Sequence, residues 1–378
     1  MKVYLDNAAT TPLAREVLDE MLPYLENEFG NPSSSHQYGR RARAGIETVR
    51  RSIARRLNCS PGEIIFTSGG TEADNLAIHC GIFDAGIKHF ISSRAEHKAV
   101  LSTLERYVEM NMITVSYVNL DANGHIDYDH LESLLLNSKE RCFVSLMHAN
   151  NEIGNLMDIE RVGRICRQYK AIFHSDTVQT MAHYAFDLQE LPIDFITASA
   201  HKFHGPKGVG FLYARNANNV KSMIVGGGQE RNHRGGTENL YGIIGLGKAM
   251  EIAWDHMDEH RRHIESLKQR LKTKLAESVP GIEFNGCQER ALYTVLNARF
   301  PDCSNAEMFL FMLDIEGVAV SGGSACNSGA TTGSHVLQAV YGQMKNTSVR
   351  FSLSRLNTEA EIDYAAEKVK QLCPVPVA

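Results

Sequence analysis

Short β-rich runs alternate with helical patterns from about residue 60 to residue 215, and this alternation constrains the fold more than any other feature of the chain. The segments 72–85, 98–110 and 159–169 carry apolar residues at helical spacing. Strands that alternate with helices predict a mainly parallel sheet covered by helices, which is an α/β fold. The seven predicted strands are residues 64–67, 89–92, 114–118, 142–146, 171–174, 195–197 and 210–213.

The last third of the chain follows a different pattern. Residues 240–278 are helical almost without interruption, and the charged second half of this stretch predicts a long connecting helix with a solvated face. Four strand-like runs follow, at residues 281–284, 292–296, 318–321 and 349–353. We therefore predict a large domain over residues 16–257 and a smaller α+β domain formed by residues 1–15 and 258–378.

Composition narrows the possible functions. The 378 residues are 43% hydrophobic and 22% charged, which is ordinary for a globular protein with a large interior. A formal net charge of −5 supplies no broad basic field, so we expect a small-molecule substrate and no direct nucleic-acid partner. The amino terminus lacks a signal peptide's apolar stretch, and no run approaches the roughly 18 apolar residues of a membrane span. We expect a cytoplasmic protein without a membrane partner.

One cysteine stands out by its surroundings. Cys326 lies within residues 321–330, a run of small residues in which its thiol is the single reactive side chain. Glycine permits many backbone conformations, so this run predicts a thiol on a mobile arm. Free cysteine is nevertheless most often a small buried hydrophobe, and both interpretations of Cys326 stay open on this evidence alone.

A turn that could bind phosphate follows the first predicted strand. Residues 67–72 have the sequence TSGGTE and lead into a predicted helix. The free N–H groups, the hydroxyls and the helix dipole would cradle a phosphate at Gly70 and Thr71. The segment lacks the Gly-Lys-Ser/Thr ending of a nucleotide P-loop, and a plain βα turn is the alternative.

Polar groups at three further strand ends lie where ligands of open α/β sheets bind, beyond the carboxyl ends of the strands. The Asp176 carboxylate could keep a pyridinium nitrogen protonated, and Gln179 could reach the same ring. Alternatively, Asp176 could simply cap a helix. A partly desolvated Lys202 amine could form a Schiff base, although a surface lysine is the usual case. His97 could stack on a planar cofactor and shuttle protons, or be an exposed first-turn histidine. Together these groups suit pyridoxal phosphate (PLP).

A metal site is the other chemistry that these segments suggest. His201 and His204 could form a metal-binding pair, but the sequence offers no third ligand near them. The eight cysteines are scattered without the paired spacing of a structural zinc site. We therefore expect no metal.

With these residues in hand, the chain resembles a cysteine desulfurase of the NifS/IscS type, in the class V aminotransferase family of fold-type I PLP enzymes. The resemblance runs nearly end to end and implies the fold of that group. Nine blocks carry it in the same order: residues 4–12 (YLDNAATTP), 29–34 (FGNPSS), 67–77 (TSGGTEADNLA), 96–100 (EHKAV), 150–154 (NNEIG), 199–210 (SAHKFHGPKGVG), 234–239 (RGGTEN), 323–326 (GSAC) and 349–353 (VRFSL).

The resemblance implies how the chain would bind its cofactor. It makes Lys202 the Schiff-base lysine, Asp176 the partner of the pyridine nitrogen, Gln179 a donor to the ring oxygen and His97 the residue that stacks on the ring. Thr237 would reach the phosphate from the second subunit of a homodimer. The other implied phosphate ligands are Gly70, Thr71, Ser199 and His201.

The resemblance also implies the reaction. Asn150 would contact cofactor and substrate, Arg350 would take the substrate carboxylate through two hydrogen bonds, and Cys326 would be the nucleophile. L-cysteine would become L-alanine, with its sulfur held on Cys326 as a persulfide. A sulfur-acceptor protein in iron–sulfur cluster assembly or thiolation would then receive it. The alternatives are a selenocysteine lyase, another PLP C–S lyase, an aminotransferase, or a non-catalytic PLP-bearing sulfur-carrier platform.

Overall fold

The computed structural model describes residues 1–217, 220–301, 306–322, 333–343 and 346–373. The strands are β1 (Val3–Tyr4), β2 (Ile64–Thr67), β3 (His89–Ser92), β4 (Thr114–Tyr117), β5 (Cys142–Ser145), β6 (Ile172–Asp176), β7 (Phe195–Ser199), β8 (Gly210–Ala214), β9 (Glu283–Phe284), β10 (Val295–Phe300), β11 (Val318–Ala319) and β12 (Thr347–Ser352). All seven strands predicted between residues 64 and 214 are present, with ends at most two residues away from the predicted ones.

Seven strands form one sheet in the order β2-β8-β7-β6-β5-β3-β4. The pairs among β3, β4, β5, β6 and β7 are parallel, whereas β8 is antiparallel to both of its neighbours. β2 therefore runs in the same direction as β7. This confirms the predicted α/β fold with a mainly parallel sheet, and it brings the carboxyl ends of β2, β3, β6 and β7 to one edge.

The helices are α1 (Arg15–Glu26), α2 (Gln37–Arg56), α3 (Gly70–His79), α4 (Lys98–Glu109), α5 (Tyr128–Asn137), α6 (Ile159–Gln168), α7 (Leu240–Asp255), α8 (Met257–Ser278), α9 (Ala306–Ile315), α10 (His335–Tyr341) and α11 (Glu359–Leu372). The prediction of one continuous helix over residues 240–278 is wrong, because the helix breaks at His256 (φ −117°, ψ 18°). The break has a packing reason: α7 lies against α1 and α2, whereas α8 lies against α11. Among the described helices, none is both long and apolar enough to span a bilayer.

The large sheet has a hydrophobic core on each face. Phe66 and Phe211 belong to one cluster of buried side chains, whereas their strand neighbours Ile65 and Leu212 belong to another. This division follows from the pleat, since successive side chains of a strand point to opposite faces. Because side chains on both faces of the sheet are buried, the strands are almost continuous apolar runs in the sequence.

A separate core unites the two ends of the chain. Val3 and Leu5 pack in one buried cluster with Leu271, Phe351 and Val369. The strands here form a parallel pair, β1-β11, and an antiparallel sheet in the order β12-β10-β9. The division into a large domain and a small domain with both termini stays a prediction, which these separate cores and the break at His256 support.

One small-domain strand differs from its prediction. The apolar run at 292–296 suggests a strand, but β10 begins only at Val295 and continues to Phe300. The Leu292 N–H donates instead to the Gly154 carbonyl at 2.6 Å, which ties this part of the run to the large domain. β10 extends through Asn297 because this polar side chain is buried and hydrogen-bonded to the Glu152 carbonyl.

A buried ion pair holds a left-handed turn beside the sheet. The Arg50 guanidinium donates to both carboxylate oxygens of Glu230 at 2.9 and 2.7 Å, and the two side chains are 3% and 4% exposed. Glu230, Arg231 and Asn232 have φ values of 44°, 57° and 69°. This conformation costs roughly 1–2 kcal/mol per residue. We infer that the ion pair offsets much of that cost.

Glu230→Ala is expected to lower the free energy of unfolding by about 3 kcal/mol, because it leaves the buried Arg50 with Glu47 as its remaining carboxylate partner. Urea denaturation measures the change. Asp19→Ala is the control, since it breaks an exposed arginine–aspartate pair and is expected to cost less than about 1 kcal/mol. Equal losses in the two variants would contradict the role given to the buried pair.

Candidate active site

A cavity of about 320 Å³ lies at the carboxyl edge of the parallel strands. It takes side chains from the turns after several strands and from β12. Nine of the residues singled out in the sequence line it: Gly70, Thr71, His97, Asp176, Gln179, Ser199, His201, Lys202 and Arg350. The fold thus brings together groups that are up to 280 residues apart in the chain.

The turn into α3 has the geometry of an anion site. Gly69 adopts φ 152° and ψ −175°, a conformation that is essentially restricted to glycine. α3 begins at Gly70 without a side-chain cap, which leaves its first N–H groups without a capping partner, and Gly70, Thr71 and Ser199 all line the cavity. A helix start of this kind favours a bound phosphate.

His201 also lines the cavity, and its imidazole is neutral. Its Nδ1 is 3.1 Å from the Thr10 hydroxyl. Burial, followed by the positive charges of Lys202 and Lys207, lowers the pKa of His201 to about 4. A neutral imidazole can still donate one hydrogen bond to an anion.

The Lys202 amine is held inside the cavity by the amino-terminal segment. Its Nζ donates hydrogen bonds to the carbonyl oxygens of Ala8 and Ala9 at 2.6 and 2.8 Å. Gln179 Nε2 donates to the same Ala8 oxygen at 3.1 Å. Lys202 is half-buried in a short 3-10 turn that directly follows β7. This position matches the predicted one beyond a strand end.

Asp176 ends β6 and is 5% exposed. Its Oδ1 accepts from the Val178 N–H at 2.8 Å and from the Thr197 hydroxyl at 3.4 Å. These bonds fix the carboxylate at the floor of the cavity. A buried carboxylate here is a partner for a cationic ring nitrogen, because a buried charge needs a counter-charge.

The His97 ring is oriented by its own helix. Its Nδ1 accepts from the Ala99 N–H at 3.1 Å as the N-cap of α4. The neutral ring therefore carries its proton on Nε2. Burial is the main reason that the pKa of His97 is lowered, and the charges of Lys202 and His335 lower it further against the opposing effect of Asp176. This geometry favours stacking by a neutral ring, since proton uptake at Nδ1 would break the cap.

Asp74 is a cavity residue that the sequence analysis missed. One ligand atom each of Asp74, His97 and Asp176 lies within 4.8 Å of the other two. Burial first, and then the charge of Asp176, raise the pKa of Asp74 well above its usual range. This shift favours the protonated form of Asp74. Thr71 and Asp74 are three residues apart on α3, and this spacing is the signal that could have revealed Asp74.

Arg350 forms the opposite end of the cavity. Its side chain is 1% exposed; Nη2 donates to Asp6 Oδ1 at 2.7 Å and Nη1 to the Asn151 carbonyl at 2.9 Å. The buried Nε has no hydrogen-bond partner among the described residues. A buried N–H without a partner is costly, so this atom marks a place for a ligand acceptor.

Cys326 lies outside the described residues, but the residues on either side of its segment contact the site. The Ser321 carbonyl accepts from the Arg350 N–H at 2.7 Å. On the other side, Ser334 donates its hydroxyl hydrogen to the carboxylate of Glu152, which lines the cavity. Residues 323–332 are thus bounded on both sides by contacts with the cavity wall.

Two predicted residues do not line this cavity. Asn150 uses its side chain to hold its own turn in place: its Oδ1 accepts from the N–H groups of Glu152 and Ile153 at 2.9 and 3.0 Å, and its Nδ2 donates to the Ala95 carbonyl at 2.8 Å. Its neighbours Asn151 and Glu152 line the cavity instead. Thr237 lies in a separate pocket with Ser68 of the same chain.

The donor set fits PLP. The helix start at Gly70 suits the phosphate, Asp176 the ring nitrogen, the His97 ring the face of a planar group, and Lys202 the aldehyde. The volume of about 320 Å³ is in the range of small-molecule sites. The Nε–H of Arg350 remains to donate a hydrogen bond to an acceptor atom of the substrate.

Comparison with known proteins agrees with this site. The family model of aminotransferase class-V matches residues 3–365. The cysteine desulfurase IscS of Dictyoglomus turgidum is 40% identical over 375 residues, which cover 98% of this chain and 94% of that protein. A solved "NIFS-LIKE PROTEIN" has a TM-score of 0.90 and 36% identity, covering 98% of this chain and 99% of that one.

The solved structure "SspA in complex with cysteine" has a TM-score of 0.81 and 32% identity, covering 94% of this chain and 100% of that one. The likeness to these structures confirms the predicted fold type I. The chain therefore belongs to the aminotransferase class-V family of PLP-dependent enzymes.

Proposed function

We propose that the protein is a PLP-dependent cysteine desulfurase, which converts L-cysteine to L-alanine and passes the sulfur through Cys326 to an acceptor. One observation carries the proposal: a single cavity joins Lys202, Asp176 and His97 to the unpartnered Nε of Arg350. Similarity to proteins named cysteine desulfurase, and to a structure in complex with cysteine, supports L-cysteine as the substrate.

The large domain holds the cofactor. When bound, PLP supplies an electrophilic carbonyl carbon and a ring that stores the electron pair of a broken bond. Lys202 Nζ would hold the cofactor through that carbonyl carbon and, with the substrate bound, would take the proton from the substrate α-carbon. Asp176 keeps the ring nitrogen protonated, and Gln179 donates to the ring oxygen. His97 stacks on the ring and limits its tilt.

The phosphate is held at the start of α3. Gly70, Thr71, Ser199 and His201 supply N–H and O–H donors, which line one side of the cavity. Thr237 completes this set from the second subunit of a homodimer. This is supported by its place outside the cavity of its own chain.

The substrate end is formed by the small domain. Arg350 binds the carboxylate through Nε and one Nη, which leaves the substrate sulfur on the side from which the Cys326 segment begins. Asn150 contributes by holding the turn that presents Asn151 and Glu152 to the cavity.

The sulfur step is a balanced displacement. The Cys326 thiolate attacks the substrate sulfur, an S–S bond forms and the substrate C–S bond breaks. The electron pair of that bond stays with the substrate β-carbon, which takes up a proton. Lys202 returns a proton to the α-carbon, and the product leaves as L-alanine. The persulfide on Cys326 then passes its outer sulfur to a sulfur-acceptor protein. We place this reaction in the cytoplasm.

The test is to supply holoenzyme with L-cysteine and a thiol reductant, and to assay alanine, sulfide and keto acid. Wild type is expected to form alanine and sulfide in equal amounts, and Cys326→Ala is expected to lose both by at least about 10²-fold, because it removes the nucleophile. Cys287→Ala removes a half-buried thiol elsewhere and is the control. Keto acid as the product would support an aminotransferase instead.

A further inference from the structure

The amino-terminal segment contributes a carboxylate to the substrate end of the site. Asp6 follows β1, and its Oδ1 accepts from Arg350 Nη2 at 2.7 Å. Backbone contacts hold Asp6 in place, since it forms a β-bridge with Ser352 and its carbonyl accepts from the Tyr4 hydroxyl at 3.1 Å. None of the roles proposed above uses this carboxylate.

The two acceptors on Arg350 determine which N–H groups remain for a ligand. A guanidinium has five N–H donors in one plane. Asp6 takes one hydrogen of Nη2, and the Asn151 carbonyl takes one of Nη1 at 2.9 Å. Nε is buried without a partner among the residues that the structure describes. The plane is therefore fixed with Nε available for the carboxylate of an amino acid.

The same ion pair changes the electrostatics of binding. Arg350 is 1% exposed and Asp6 19%, so water screens their interaction only in part. With Asp6 ionised, the pair has no net charge, and a substrate carboxylate would be a second anion on the same guanidinium. Repulsion between the two carboxylates lowers the affinity of Arg350 for any amino acid, product included.

We propose that Asp6 is a positioning residue that orients the Arg350 guanidinium and limits its affinity for carboxylates, so that L-alanine leaves after sulfur transfer. This inference rests on the proposed function of the site. Such a residue lowers the affinity for the product and thereby speeds turnover, because tight binding of the product slows its release.

Asp6→Asn isolates the charge, since its amide oxygen can still accept from Nη2. The dissociation constant of L-alanine, measured with holoenzyme from the visible absorption of the bound cofactor, is expected to fall about tenfold. The KM for L-cysteine and the rate of alanine dissociation are expected to fall with it. Asp6→Ser also keeps an oxygen without the charge, and the same direction is expected.

Asp363→Asn is the matched control. It removes a carboxylate that accepts two hydrogen bonds from Arg270 on the surface of the small domain, and is expected to leave alanine binding unchanged. Alanine affinity that is unchanged or weaker in both Asp6 variants, with wild-type urea midpoints, would overturn the inference. If wild type itself forms no alanine from L-cysteine, the proposed function fails instead, so the two failures are distinguishable.

Discussion

Lys202→Ala is expected to abolish covalent attachment of PLP and to lower the rate of alanine formation by at least about 10²- to 10⁴-fold. The loss is expected to be large because the proposed function gives Nζ two tasks, to bind the cofactor and to move the α-proton. The fold should persist, since the substitution shortens a half-buried side chain at the cavity, whose amine donates to the Ala8 and Ala9 carbonyls, and it leaves the apolar core unchanged. Gel filtration followed by visible absorption measures the retained cofactor.

Lys207→Ala is the control for this prediction. Lys207 is exposed and lies five residues further along the same segment. We expect it to keep the cofactor and the activity of wild type. A Lys202→Ala protein that retained covalently bound PLP through gel filtration would place the attachment at another lysine.

Asp176→Asn is expected to lower kcat by at least about 10²-fold with little change in the fold. Asparagine is nearly the same size but cannot carry the negative charge that holds a proton on the ring nitrogen. Without that proton, the ring stores the electron pair of a broken bond less well. The ¹⁵N chemical shift of the ring nitrogen, measured in enzyme reconstituted with labelled PLP, reports its protonation directly.

Asp74→Asn provides a matched comparison, because Asp74 is a buried carboxyl beside Asp176. Its raised pKa, which is caused first by burial, favours the neutral carboxyl, so we expect the amide to change the charge of the site little. We expect a loss much smaller than that of Asp176→Asn and a ring nitrogen that stays protonated. Equal losses in the two variants would show that Asp74, too, carries charge in the working enzyme.

The large sheet was predictable because its strands are short apolar runs separated by amphipathic helices. Both faces of the sheet are covered, so runs such as residues 64–67 and 142–145 stand out as buried strands. The break at His256 was not predictable, because the helical pattern continues through it. The cause of the break is tertiary packing, since α7 lies against α1 and α2 whereas α8 packs in the separate core that unites the two ends of the chain.

The site was predictable where a polar residue follows a strand, as with Asp176 and Lys202. Prediction failed where a contact depends on distant segments. Asp6 meets Arg350 across 344 residues, and nothing local in the sequence indicates that pair. The place of Asn150 was also beyond sequence reasoning, because the turn's own N–H groups occupy its side-chain oxygen.

The central claim is that Cys326 accepts the sulfur of L-cysteine. Its most direct test is mass spectrometry of the Cys326 peptide after one turnover of holoenzyme with ³⁴S-labelled L-cysteine and no reductant. We expect one labelled sulfur atom on Cys326 for each alanine formed, and none on Cys287. If the same amount of alanine forms while Cys326 stays unmodified, Cys326 does not accept the sulfur and the proposed function of this thiol is contradicted.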